Sequence, residues 1–183
     1  MKFKPKLIIY CSTYEVYGQV KSKILSEDNP IFNPIVYGQT KLLAEKILEE
    51  NHKTISLRMP SVVGKGSRGW IMKIYNQLKS NKRIEILNGK FNNMIHQDDL
   101  SKLILNLILN KCHFSEQFNL SCSKPIMSKK VVEIMKQNMN SKSILISKNN
   151  YKKSYIISNK KISKFYKFMT VEKAIKKLLI DIN

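Results

Sequence analysis

Apolar and polar positions along the chain follow two periods, one near two residues and one near 3.6. Lys6 to Cys11 is a short apolar run rich in β formers that ends on Ser12-Thr13, and it predicts a buried strand entering a turn. Gly18 to Pro34 is polar, and its Asp28-Asn29-Pro30 and Asn33-Pro34 steps mark a loop. Pro34 suits a first-turn helix position. From Ile35 to Glu50 the pattern is helical, with Val36, Leu43, Ala44, Ile47 and Leu48 forming an apolar stripe. A strand over Lys53 to Arg58, a Gly-rich loop over Gly64 to Gly69, a helix over Trp70 to Lys79 and a strand over Arg83 to Leu87 follow. Gln97 to Asn110 predicts a helix with Asp98 and Asp99 as first-turn charges. Further on come a strand at Gln117 to Leu120, a helix at Ser128 to Asn138, a strand at Ser143 to Ser147 and an amphipathic helix at Val171 to Ile180. Strands alternating with helices predict an α/β fold on a largely parallel sheet.

Composition narrows the function classes. The 183 residues are 43% hydrophobic, enough for a packed core. The longest apolar run, Leu103 to Leu109, is broken by Asn106 and falls far short of the roughly 18–20 residues of a membrane helix. Met1 to Lys6 leads into an apolar stretch too short for a secretory signal, and a cytoplasmic protein is expected. Cys11, Cys112 and Cys122 have neither disulfide nor metal spacing and read as reduced, small buried residues, with no metal expected. A net charge of +20 raises nucleic acid as a partner. The excess is nearly all lysine, spread along the whole chain, and only Arg58, Arg68 and Arg83 carry the bidentate fork that phosphate and base readers favour, which argues against it.

The candidate chemistry begins with Tyr37 and Lys41. Four residues apart on a helix, they share a face, and an ammonium one turn away favours a phenolate over a phenol. Tyr-x-x-x-Lys alone is a common coincidence, but here it follows Ser12-Thr13-Tyr14-Glu15-Val16-Tyr17-Gly18. That run resembles the catalytic turn of the NAD-dependent epimerase/dehydratase family, the extended short-chain dehydrogenases acting on nucleotide sugars. Pro34-x-x-Tyr37-Gly-x-x-Lys41 is similar to their catalytic helix, Leu57-Arg58-Met59-Pro60-Ser61-Val62-Val63-Gly64 to the next strand and loop, and Ile95-His96-x-x-Asp99-Leu100 to a later segment.

The resemblance implies a partial Rossmann-like parallel sheet with helices on both faces, lacking the first strands, followed by a small C-terminal α/β substrate-binding part. The expected division is 1–115 for the nucleotide-binding portion and 116–183 for the substrate-binding region. It implies Thr13, Tyr37 and Lys41 as catalytic residues, with Tyr37, Lys41 and Pro60 on NAD or NADP and Thr13, Glu15, Ser61 and Arg68 on the substrate. Asn92 stands near where many epimerases place a diphosphate arginine, and Arg68 or Lys65 would substitute for it. Tyr14 occupies the place of the dehydratases' acid, which argues against 4,6-dehydration. His96 reads as a packed histidine and Trp70 as core or pocket wall. The expected activity is hydride transfer at a sugar carbon of a nucleotide sugar, by a 4-epimerase or related enzyme of polysaccharide biosynthesis. Alternatives are a 4-keto sugar nucleotide reductase, a decarboxylase, or a non-catalytic remnant or binding module lacking the cofactor loop. No Gly-x-x-Gly-x-x-Gly fingerprint occurs among the glycines at 18, 38, 64, 66, 69 and 89. A homodimer, or a separate chain supplying the N-terminal half, is therefore expected as partner besides the nucleotide sugar.

Overall fold

The computed structural model describes residues 4–110, 114–148 and 154–182; Cys112 lies outside them. The first part of the chain gives β1 (Ile8–Thr13), a 3-10 turn at Tyr14–Tyr17, β2 (Ile24–Leu25), α1 (Val36–Asn51), β3 (Thr54–Met59) and β4 (Ser61–Val63). Next come α2 (Trp70–Lys79), β5 (Ile84–Leu87), β6 (Phe91–Asn92), β7 (Met94–His96) and α3 (Gln97–Leu109). The rest comprises β8 (Glu116–Asn119), β9 (Ile126–Met127), α4 (Ser128–Asn138), β10 (Leu145–Lys148), β11 (Ile156–Ile157) and α5 (Val171–Ile182). The fold is α/β, as the alternation predicts, and among the described residues no helix is long and apolar enough to cross a membrane.

The central sheet is parallel, in the order β1-β3-β8. β3 lies in the middle and is buried from Thr54 to Arg58, although its sequence alternates polar Thr54, Ser56 and Arg58 with apolar Ile55 and Leu57. The two faces of β3 alternate. Ile55 and Leu57 pack with Leu103 and Leu107 of α3, Phe118 and Leu120 into one core, each buried aliphatic contributing about 1.5–3 kcal/mol. Ser56 and Arg58 face α1. A second core joins α2, α4 and α5 with β5, Val63 and Met94. A third, smaller one packs Val16, Tyr17, Leu25 and Ile157 beneath the 3-10 turn.

Two expectations change. Val36, Leu43 and Ile47 of the α1 stripe are exposed, while the helix buries Gly38 and Glu45; α1 docks through a polar contact, so its apolar period does not mark its buried face. Cys11 is exposed because β1 is an edge strand of the described sheet, whereas Cys122 is buried, which pushes its thiol up to about 12. The pairs β4–β7, β6–β9 and β2–β11 span two or three residues each, too short to show a period.

Candidate active site

β1 ends in two buried hydroxyl residues, Ser12 and Thr13. The Thr13 hydroxyl accepts from the Glu15 amide at 3.2 Å and so caps the 3-10 turn, keeping its own proton free to donate. The turn closes at Gly18 with φ of 66°, where an added Cβ would fall 2.2 Å from the Phe32 carbonyl oxygen. Gly38, in the first turn of α1, meets the turn from the other side: a Cβ there would lie 2.3 Å from the Glu15 carbonyl oxygen. Two glycines thus let the backbone of α1 and its approach loop seat directly on the Thr13 turn.

That seating brings the first turn of α1, which carries Tyr37, against the turn that follows β1. Tyr37 is 53% exposed, leaving its phenol open to a substrate. The Lys41 ammonium donates to the Cys11 carbonyl at 2.7 Å and lies 4.7 Å above the Tyr10 ring. Pro60 is buried directly after β3, whose last residue Met59 pairs with Thr13. Glu15 is half-buried, with its backbone used at both ends of the turn.

Beneath these residues lies a buried polar network. Ser12, Arg58 and Asn119 stand in register across β1, β3 and β8. Arg58 forms a fork with Glu45 of α1, at 2.7 Å from Nη2 and 3.1 Å from Nε, and both side chains are buried. Ser12 Oγ donates to Glu45 Oε1 at 2.5 Å. Arg58 Nη1 donates to the Tyr17 hydroxyl at 2.9 Å, and that hydroxyl donates to Asn119 Oδ1 at 2.9 Å. Burial opposes the Arg58 charge, but Glu45 outweighs it through hydrogen bonding and attraction, so the guanidinium pKa is raised. Burial pushes the Tyr17 phenol up, against the pull of Arg58.

Ser61 of β4 and Arg68, just before α2, meet in a cavity of about 220 Å³ whose wall also includes Tyr14, Trp70, Lys90 and Asn92. Thr13, Glu15, Tyr37, Lys41 and Pro60 lie outside that wall, and Tyr14 links the two groups through its place between Thr13 and Glu15. Lys65, the alternative to Arg68, is not part of the wall. His96 is buried, and its Nδ1 accepts from the Asp98 amide at 3.2 Å. Burial lowers its pKa, opposed by the Asp98 and Asp181 carboxylates. Asp99 is more than a helix-start charge: it is buried and accepts from the Tyr166 hydroxyl and the Met169 amide, each at 2.8 Å, tying α3 to the C-terminal segment. Among the described residues no cluster of His, Cys, Asp or Glu could hold a metal.

Glu45, Tyr17, Asn119 and Lys90 escaped the reading of the sequence. Only Glu45 left a signal there, four residues beyond Lys41 and eight beyond Tyr37 on the same helical face.

The family model of the RmlD substrate binding domain matches residues 4–144. No curated protein matches the chain. Among solved structures, the chain is similar to the dTDP-4-dehydrorhamnose reductase of Bacillus anthracis in complex with NADP, at 18% identity and a TM-score of 0.78 over 94% of this chain and 64% of that one. The UDP-Glc/GlcNAc 4-epimerase of Campylobacter jejuni aligns at 22% identity and 0.76, over 96% and 64%. The enzyme WbmG of Bordetella bronchiseptica in complex with NAD aligns at 18% and 0.80, over 96% and 58%. The chain therefore spans less than two thirds of the length of these structures, and at such identities the likeness establishes the Rossmann-like epimerase/reductase fold.

Proposed function

The chain belongs to the RmlD substrate binding domain family, and from that premise we propose that it carries the catalytic helix and the substrate pocket of an NAD(P)-dependent enzyme acting on nucleotide sugars, a 4-epimerase or a related oxidoreductase. The observation that supports this reading is the seating of α1 on the Thr13 turn through Gly38, on a helix whose Tyr37 is exposed and whose Lys41 donates to β1.

The residues fit one end of a nicotinamide cofactor. Lys41 spends one of its three donors on Cys11 and keeps two for ribose hydroxyls, and Pro60 directly follows the strand that pairs with β1. The glycines do not form a pyrophosphate turn, so the fit is to the nicotinamide end alone. Bound there, the cofactor supplies the hydride acceptor or donor. Tyr37 takes the proton of the reacting sugar hydroxyl, or returns it to the carbonyl formed. Thr13 hydrogen-bonds the same oxygen and fixes its direction. The Lys41 charge stabilises the phenolate while Tyr37 is without its proton. In the cavity, Arg68 and Lys90 offer cations for the diphosphate, Ser61 and Asn92 offer hydrogen bonds, and Trp70 offers a flat wall. With Tyr14 rather than an acid before Glu15, proton delivery to a leaving hydroxyl is not provided, which favours epimerisation or reduction over dehydration.

Two measurements test this. Tyr37→Phe should abolish conversion of the nucleotide sugar in the presence of NAD(P), read by chromatography of the sugar products, without altering the melting temperature; turnover that survives removes the proposed base. Arg68→Ala should weaken UDP- or dTDP-hexose binding in calorimetry about tenfold, as expected for one charge-assisted contact, and equal affinity would move the diphosphate elsewhere.

A further inference from the structure

Glu45 and Arg58 have no place in the proton relay just described, yet they form the most heavily bonded buried cluster in the described chain. Arg58 contributes three contacts to Glu45, at 2.7, 3.1 and 3.3 Å, and one to Tyr17 at 2.9 Å. Ser12 is the second partner of Glu45. The cluster bridges every element that positions the candidate catalytic residues. Ser12 precedes Thr13 on β1, Arg58 lies two residues before Pro60 on β3, and Asn119 ends β8. Glu45 sits one helical turn beyond Lys41 and two beyond Tyr37.

Two side chains of one α1 face therefore grip successive residues of β1: Lys41 takes the Cys11 carbonyl, and Glu45 takes the Ser12 hydroxyl. An apolar helix–sheet contact tolerates sliding and rotation, because it is non-directional. A planar guanidinium forked onto a carboxylate, with a hydroxyl on the same oxygen, tolerates neither. The sheet row under it is fixed by strand register, so Glu45 has one rotation and one height at which it satisfies both partners.

We infer that Glu45 and Arg58 are positioning residues for the reaction proposed above: their buried fork sets the rotation and axial height of α1 and so holds Tyr37 and Lys41 against Thr13. This inference rests on that proposal for its catalytic consequence, but its structural content does not depend on it.

The test uses three variants of the protein, Glu45→Gln, Arg58→Lys and the double exchange Glu45→Met with Arg58→Met. The single exchanges strand a buried partner and lower stability. The double exchange removes both charges at similar volume, and such replacements commonly leave stability unchanged or raised. Two readouts follow. Amide hydrogen exchange over residues 37–45, at matched global stability, should quicken about tenfold in the double variant, since the first turns of α1 would open locally. Turnover, in KM against kcat, should show kcat down roughly ten- to a hundredfold with KM for the nucleotide sugar little changed, as expected for a misplaced base. Arg58→Lys, which keeps the charge and loses the fork, should not rescue kcat. A double variant with wild-type exchange in α1 and wild-type kcat would overturn the inference and leave the cluster a folding element. The two readings separate cleanly. If the wild type itself turns over no nucleotide sugar, the proposed function fails while the exchange measurement still decides whether the fork positions α1. If Tyr37→Phe is inactive and the double variant is fully active with unchanged exchange, the function stands and the positioning role falls.

Discussion

Removing one oxygen atom from Tyr17 probes the buried network without emptying its site. Tyr17 is fully buried among Val16, Leu25 and Ile157. Tyr17→Phe keeps the ring, its packing and the 4.8 Å approach of the Arg58 guanidinium to the ring centre. It deletes the hydroxyl that accepts from Arg58 Nη1 at 2.9 Å and donates to Asn119 Oδ1 at 2.9 Å. The first bond is charge-assisted, worth about 1.5–3 kcal/mol, and the second is neutral, worth about 1 kcal/mol, with both partners left buried. The variant should therefore lose about 2–4 kcal/mol. For a domain of this size each kcal/mol moves the melting temperature by about 2–4 °C, so a loss near 3 kcal/mol lowers it by about 6–12 °C. Urea unfolding of both proteins, with a common m-value, measures the difference directly.

The pH dependence of that difference has a definite sign. Burial raises the Tyr17 pKa in the folded state above its ordinary value near 10. The folded protein then holds this proton more tightly than the unfolded chain, so the stabilisation is complete below pH about 10 and declines as pH rises through the folded pKa. The wild type should lose its advantage over Tyr17→Phe in strong alkali, while Cys122 and Tyr166, both pushed up to about 12, titrate in both proteins and cancel in the comparison. A variant within about 0.5 kcal/mol of wild type at neutral pH, the ordinary scatter of surface substitutions, would show that the hydroxyl bridges nothing of consequence.

Two more perturbations follow from the geometry. Gly38→Ala gains about 1 kcal/mol of helix propensity yet should destabilise by about 1–3 kcal/mol net and suppress turnover, because its Cβ meets immovable backbone at Glu15; a stabilised variant in a thermal melt would mean that α1 does not rest on the turn. His96 is surrounded by Asp98, Asp99, Asp181 and Lys177, and burial lowers its pKa, so its contribution to stability is present above pH about 6.5 and is lost as pH falls through the folded value. His96→Asn, which keeps a helix-capping acceptor, should flatten the stability curve between pH 7 and 5, measured by chemical unfolding, and an unchanged slope would place the acid sensitivity elsewhere.

The order of strands and helices was legible because β3 and the helices α2 to α5 carry periods long enough to read. That Tyr37 and Lys41 share a helix and that Thr13 opens a turn were legible because both features are local. Arg58 and Glu45 were not. Thirteen residues apart, one in a predicted strand and one in a predicted helix, neither points to the other as its partner, and only the register of Ser12 with Arg58 and of Arg58 with Asn119 shows that a polar row runs under α1. Asp99 is the first-turn carboxylate that its sequence position predicts, but its second role was hidden for a related reason: its two partners, Tyr166 and Met169, lie some seventy positions away in sequence. The cavity around Arg68 depends on β4 pairing with β7, three residues a side, which no periodicity announces.

The exposed stripe on α1 supplies the last step. Leu43 and Ile47 each lie two residues from Glu45, about 160° around the helix from it at 100° per residue. Tyr37 and Lys41 lie within about 80° and 40° of Glu45 by the same geometry. Burying the apolar residues against the sheet would therefore turn α1 nearly upside down and carry the phenol and ammonium away from Thr13. Hydrophobic burial favours that wrong rotation, by about 1.5–3 kcal/mol for each large side chain covered. The observed rotation instead leaves Val36, Leu43 and Ile47 at half exposure or more and buries a carboxylate. A buried charge is tolerable only with its partner in place, so the Arg58 fork, with Gly38 allowing the close approach, decides which face of α1 meets the strands. The helix orientation that a catalytic role needs is thus set by the least hydrophobic residues on it.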